Sequence, residues 1–153
     1  MATASMGKGS EKGSQMSRHG SGMTRGGHLY IQTNETRNCV VHYRRASDGT
    51  LTEVGRVPTG GGGSGEFKPI SGQESAPNAF EGAGSVILSP DRHFLFVTNG
   101  GDNSVSSFAV AEDGRLTLVN CESTGNPVMG RSGTAKSLAF GPAQGILYVL
   151  FRT

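Results

Sequence analysis

Tryptophan is absent from this 153-residue chain, cysteine occurs only twice, and aromatic residues make up 7% of it. So few large side chains cannot furnish the layered core of a helical bundle. The 25 glycines and 34% hydrophobic content point instead to a soluble, turn-rich protein. No apolar run reaches the roughly 18 residues that a membrane span requires, and the amino terminus MATASMGKGSEKGSQMSRHGSG lacks the apolar stretch of a secretory signal. Cytoplasmic residence is the expectation that follows. Cys39 and Cys121 form no CxxC or Cys/His cluster, so a thiolate metal site is excluded and both are expected as free thiols. Asp91, Asp102 and Asp113 lack the close spacing of a calcium loop, and no metal is expected.

Charge is equally sparse. The formal balance is +2, and it is uneven: Lys8, Lys12, Arg18 and Arg25 against Glu11 give residues 1–27 a net +3, and the rest carries −1. A body without positive excess is not expected to bind nucleic acid or a membrane. Residues 1–27, rich in Gly, Ser and Met without apolar periodicity, cannot bury enough surface to offset their ordering entropy, and they read as a disordered tail.

From His28 onward the chain turns to short β-branched and aromatic runs separated by turn signals, with no 3.6-residue apolar period. This is an all-β pattern, and it repeats. With an offset of 65 and no gap, His28 falls on His93, Thr33-Asn34 on Thr98-Asn99, Asn38 on Asn103, Asp48-Gly49 on Asp113-Gly114, and Thr59-Gly60 on Thr124-Gly125. Each copy contains three runs joined by a polar turn and an Asp-Gly turn, where Gly takes positive φ without strain and Asp bonds its own backbone. A further strand at SVILSPDR, residues 85–92, makes the unit four strands, and the phrase returns as SLAFGPAQGILYVL from Ser137.

Four antiparallel strands repeated every ~40 to 65 residues form the pattern of β-propeller blades. The expected layout is blade one at 28–59, a Gly/Pro/Ser-rich loop at 60–83, blade two at 84–124, and the start of blade three at 134–153, all within a partial propeller spanning 28–153. That is about two to two and a half blades, and a closed propeller needs at least about four. The chain therefore reads as a fragment, a truncated product, or a subunit completed by self-association or by a chain supplying the remaining blades.

The phrases YIQTNETRNCVVHYRRASDGTLTEVGRVPTGGGG and SVILSPDRHFLFVTNGGDNSVSSF resemble the opening blades of the seven-bladed propeller lactonases, which include 6-phosphogluconolactonase-like and carboxymuconate-cyclase-like proteins. The resemblance covers about residues 28–151. It implies hydrolysis of sugar-acid or muconate lactones without a cofactor, by residues on middle-blade loops around a Pro-His-x-His type motif. No such motif occurs here, so no catalytic residue is carried over and this chain is expected to lack the complete site. The alternative is a non-catalytic propeller scaffold that binds a protein or a small ligand.

Lactone hydrolysis needs an activated water and donors for the oxyanion. Arg131 and Lys136, at the connection into the third unit, are the candidates for binding a small lactone or sugar acid. His28 and His93 share a repeat position and read as structural turn residues, and His42 is expected on the exposed side of its strand. The run GGGGSG matches GxGxxG through Gly60, Gly62 and Gly65, but Pro69 follows where a phosphate-binding helix would have to start. It reads as a flexible linker, with no nucleotide cofactor.

Overall fold

The computed structural model describes residues 26–63, 65, 84–125 and 134–152. Nine strands and no helix are found among them: β1 (Gly27–Gln32), β2 (Cys39–Arg45), β3 (Leu51–Pro58), β4 (Val86–Leu88), β5 (Phe94–Asn99), β6 (Ser104–Val110), β7 (Leu116–Ser123), β8 (Thr134–Gly141) and β9 (Ile146–Arg152). Hence no helix among the described residues is long and apolar enough to cross a membrane. The strands form three antiparallel sheets in meander order, β1-β2-β3, β4-β5-β6-β7 and β8-β9. The four-strand unit expected from sequence is complete in the second sheet. Residues 1–25 of the tail and 66–83 of the long loop lie outside the described residues.

The repeat extends below the level of strands. In the first sheet the pairing of β2 with β3 shifts between His42 and Tyr43, and in the second that of β6 with β7 shifts between Ser107 and Phe108, the same repeat position. The extra residues, Val54 and Val119, both point outward at 46% and 59% exposure. A bulge adds local twist and is kept where the sheet must coil against its neighbour. The Asp-Gly turns coincide as well. Gly49 and Gly114 have φ of 93° and 80°, and the carboxylates of Asp48 and Asp113 accept the N–H of Thr50 and Arg115 at 2.9 and 3.1 Å.

The main apolar core lies where the first two sheets meet: Val40, Leu95, Val97, Phe108 and Leu116 are buried, with Tyr30, Val57, Val86 and Val110 packed against them. At the next seam Phe96 stacks on Phe140 with ring centroids 5.8 Å apart, near the buried Ala135 and Leu138. β-Branched and aromatic side chains standing off a pleated surface fill such a seam, and burying one contributes roughly 1.5–3 kcal/mol.

A polar clasp accompanies each seam. Thr59 and Thr124, equivalent in the repeat, each bond the carbonyl of the equivalent Asn38 or Asn103 through N–H (2.9 Å in both) and Oγ1 (3.1 and 2.7 Å). The asparagine side chain then reaches forward. Asn38 donates to Oδ1 of Asn99 at 2.9 Å, and Oδ1 of Asn103 accepts the Ala135 N–H at 3.0 Å. Burying these groups stabilises only because they are paired, since an unpaired one costs ~1–3 kcal/mol.

The glycine run is seated rather than free, which corrects its reading as a flexible linker for residues 60–63. The Gly63 N–H donates to the Glu35 carbonyl at 2.9 Å, the Gly101 N–H to the Gly62 carbonyl at 2.8 Å, and the Gly62 N–H to Oδ2 of Asp102 at 2.7 Å. A Cβ on Gly63 would overlap the Asn34 and Glu35 backbone, and one on Gly101 would overlap the Gly63 carbonyl. Glycine is required here by close backbone approach between two sheets.

Candidate functional site between the first two sheets

Both sheets run the same way up. The connections around 33–38, 59–63 and 100–103 lie at one end, and the hairpin turns at 46–50, 89–93 and 111–115 at the other. At this hairpin end the two sheets diverge around an open groove of about 1030 Å³. Its walls are the start of β1, the end of β2, the turn before β5 and the turn before β7.

His28 and Tyr30 line the first wall, with His42 buried behind them. Tyr30 pairs with His42 across β1 and β2, and their rings stack with centroids 4.9 Å apart. Nδ1 of His28 lies 2.9 Å from Nε2 of His42, so one proton is shared between the two rings. The Tyr30 hydroxyl donates to the Gly114 carbonyl at 2.7 Å, tying the first sheet to the Asp-Gly turn of the second. The His28 ring covers Gly114 so closely that a Cβ there would overlap it.

His42 is 3% exposed, contrary to the expectation of an outward side chain. The reason is that β2 is the middle strand of its sheet, and the face carrying Val40 and His42 is covered by the second sheet and by His28 and Tyr30. Burial, then His28 and Arg44, push the His42 imidazole below its ordinary range, with Asp113 acting weakly the other way. Burial and Asp113 raise the Tyr30 phenol. Both side chains are thus held neutral near pH 7.

The repeat partner of His28 does different work. His93 sits in the turn before β5 with its side chain 74% exposed, 3.3 Å from Oδ2 of Asp91. Its N–H donates to Oδ1 of Asp91 at 3.1 Å, and the Ser89 hydroxyl bonds the same carboxylate, which is held below the usual carboxylate range chiefly by Ser89 and His93. Such an exposed pair adds little stability. Arg44, Arg45 and Arg92 are also among the residues that line the groove. Among the described residues no three His, Cys, Asp or Glu side chains are grouped to hold a metal ion.

Of the two candidates expected from sequence, one lies among the described residues. Arg131 falls outside the described residues. Lys136 is the extra residue of a bulge in β8, where pairing passes from Ala135–Phe151 to Ser137–Leu150, near the connection end rather than the hairpin end. The groove was not found from sequence, because its walls come from hairpins distant along the chain. The doublet Arg44-Arg45 and the near-coincidence of two histidines on β1 and β2 were the available signals.

The chain is similar to known proteins. The family described as "Lactonase, 7-bladed beta-propeller" matches residues 10–150, a stretch that begins well before β1. A periplasmic gluconolactonase from Pseudomonas aeruginosa is 25% identical over 80% of this chain and 35% of its own, with a TM-score of 0.45. A protein from Lactobacillus plantarum is 24% identical over 79% of this chain and 37% of its own, with a TM-score of 0.46. This chain therefore spans about a third of either solved structure. No curated protein matches it. With its meander sheets and a family match over nearly its whole length, the chain belongs to the seven-bladed β-propeller lactonase family.

Proposed function

We propose that this chain is a section of a lactonase-type propeller in which water opens a sugar-acid or muconate-type lactone, with the complete site formed only when further blades are present. The family match over residues 10–150 is the observation that carries this reading. In such a reaction a base takes a proton from water as it attacks the carbonyl, N–H or cationic donors hold the oxyanion, and the ring oxygen leaves as an alcohol. Arg131 and Lys136, on the approach to the third sheet, remain the proposed contacts to the acid group of the substrate. The test is hydrolysis of 6-phosphogluconolactone by the purified chain, alone and with a chain supplying further blades. Rates no higher than spontaneous opening in both cases would overturn the lactonase reading.

Association is proposed with it. The outer row of β9 leaves Ile146, Tyr148 and Leu150 at 44%, 55% and 66% exposure, and Leu29 and Ile31 of β1 are also exposed. Apolar rows at the two outer sheets suit contact with another blade, from a second copy or from a separate chain. Light scattering is expected to show an oligomer, and a stable, cooperatively unfolding monomer would argue against it.

A second reading is favoured by the groove: a non-catalytic scaffold that binds a small acid. Arg44, Arg92 and a histidine paired to a second histidine line it.

A further inference from the structure

We propose that the pairing of His28 with His42 is a proton-operated latch on the first seam. With at most one proton added, the pair holds the hairpin end of the two sheets together. With a second, it lets that end open while the connection end stays shut. The inference goes beyond the lactonase and scaffold readings and rests on neither.

The contact itself counts protons. Nδ1 of His28 and Nε2 of His42 are 2.9 Å apart, so one must carry hydrogen and the other a lone pair. A first added proton leaves that arrangement intact, because an imidazolium on one side can donate to a neutral imidazole on the other, and the bond becomes charge-assisted. A second puts N–H groups on both sides and two positive charges face to face at hydrogen-bond distance. His28 takes the first, since its ring is exposed to the groove. The second falls to His42, which is 3% exposed and held below the ordinary range by burial, then by His28 and Arg44.

The surrounding charges are mixed. Arg44, paired across the strands with His28, opposes further charging of His42, and Asp113 acts weakly the other way. The Asp113 carboxylate is bonded by Arg115, and that of Asp91 by Ser89 and His93. Tyr30 stays neutral because burial and Asp113 raise its phenol. Arg45, Arg92 and Glu112 are the other charged groups along the groove.

The pair bears on one turn of the second sheet. The His28 ring covers Gly114, the Tyr30 ring stacks on His42, and the Tyr30 hydroxyl donates to the Gly114 carbonyl at 2.7 Å. Rings driven apart therefore withdraw from Gly114. At the connection end, the Asn38–Asn99 and Thr59–Asn38 bonds contain no titratable group, and none of the three histidines among the described residues stands there.

The repeat supplies an independent observation. The pairing shifts that follow His42 and Ser107 make these residues equivalent, and their partners across the strands are Tyr30 and Phe96. The second seam thus carries Ser107 and a Phe96–Phe140 stack where the first carries His42 and Tyr30. A seam of this kind packs without ionisable groups, so the latch is specific to the first.

The test is NMR on the full purified chain as pH is lowered from about 8 to about 4.5, a range that spans the ordinary histidine value. Nuclear Overhauser contacts of the His28 ring with Gly114, and of the Tyr30 ring with both His42 and Gly114, are expected to survive protonation of His28. They should then fall at least five-fold together, reversibly, as His42 is protonated, while those joining Asn38 to Asn99 hold. His28→Gln, at an exposed ring, removes the opposing charge and should keep the Tyr30–Gly114 contact intact over the same range. His93→Gln, in a turn outside the pair, should leave the fall in place. Loss of both ends of the seam at one pH, contacts that persist with both rings charged, an unchanged fall in His28→Gln, or its abolition in His93→Gln would each overturn the proposal. Failure of lactone hydrolysis leaves this titration intact, and failure of the titration says nothing about hydrolysis.

Discussion

The side-chain amide of Asn38 donates to Oδ1 of Asn99 at 2.9 Å, joining two sheets through residues 61 positions apart. The same asparagine is tied to its own sheet, since its Oδ1 accepts the Asn34 N–H at 2.9 Å and its carbonyl accepts two bonds from Thr59. Asn38 is 1% exposed, so water cannot replace these partners. Asn38→Ala strands several of them at once and is expected to destabilise the fold by about 2–3 kcal/mol, measured by urea unfolding. Asn103→Ala, at the equivalent place in the second sheet, should cost a similar amount through the Ala135 N–H it leaves unbonded.

Glycine substitutions should separate packing from conformational freedom. Gly101→Ala drives a methyl group into the Gly63 carbonyl and is expected to destabilise by more than about 2 kcal/mol, because backbone must move. Gly55, in β3, has open space where its Cβ would stand. Gly55→Ala should be neutral or stabilising by up to about 1 kcal/mol. Thermal unfolding of the two variants side by side checks the contrast.

Tyr30→Phe removes the hydroxyl that reaches the Gly114 carbonyl and leaves the His42 stack in place. Loss of one seam hydrogen bond predicts a cost of about 1 kcal/mol. Hydrogen exchange at the 111–115 turn should accelerate more than exchange in β5. Uniform acceleration would contradict the assigned role.

The pH dependence follows from His42. Its folded pKa is depressed, chiefly by burial and then by His28 and Arg44, so the unfolded chain binds the proton more readily. Stability is therefore full above the unfolded value of about 6.5 and declines as pH falls below it towards the folded pKa. The groups facing the ring are His28, Tyr30, Arg44 and Asp113, and only Asp113 opposes the trend. His42→Gln should flatten this part of the stability profile. A further loss at lower pH, from Asp48, Asp91 and Asp113, should survive the substitution, because hydrogen bonds hold those carboxyls low.

Much of the fold was legible because two copies of one unit stand in register. Asp48-Gly49 and Asp113-Gly114 announce their turns, and Asn38 with Thr59 repeats as Asn103 with Thr124. What one copy cannot state is which face of a strand meets the next sheet. His42 stands in an alternating strand and reads as exposed, yet its face is the covered one. The glycines at 60–63 read as slack because composition carries no information about the backbone lying 40 residues ahead at Gly101 and Asp102. The groove was invisible for the same reason: Arg44 and Arg92 are brought to one mouth by sheet stacking alone.

The forward reach of Asn38 and of Asn103 has a consequence for how such a molecule can grow. Each unit brings the side chain that fastens it to its successor, in the same turn that closes on its own threonine. Tandem duplication of one coding segment would therefore deliver a blade and its fastening together, and lengthening the array would demand no newly evolved interface.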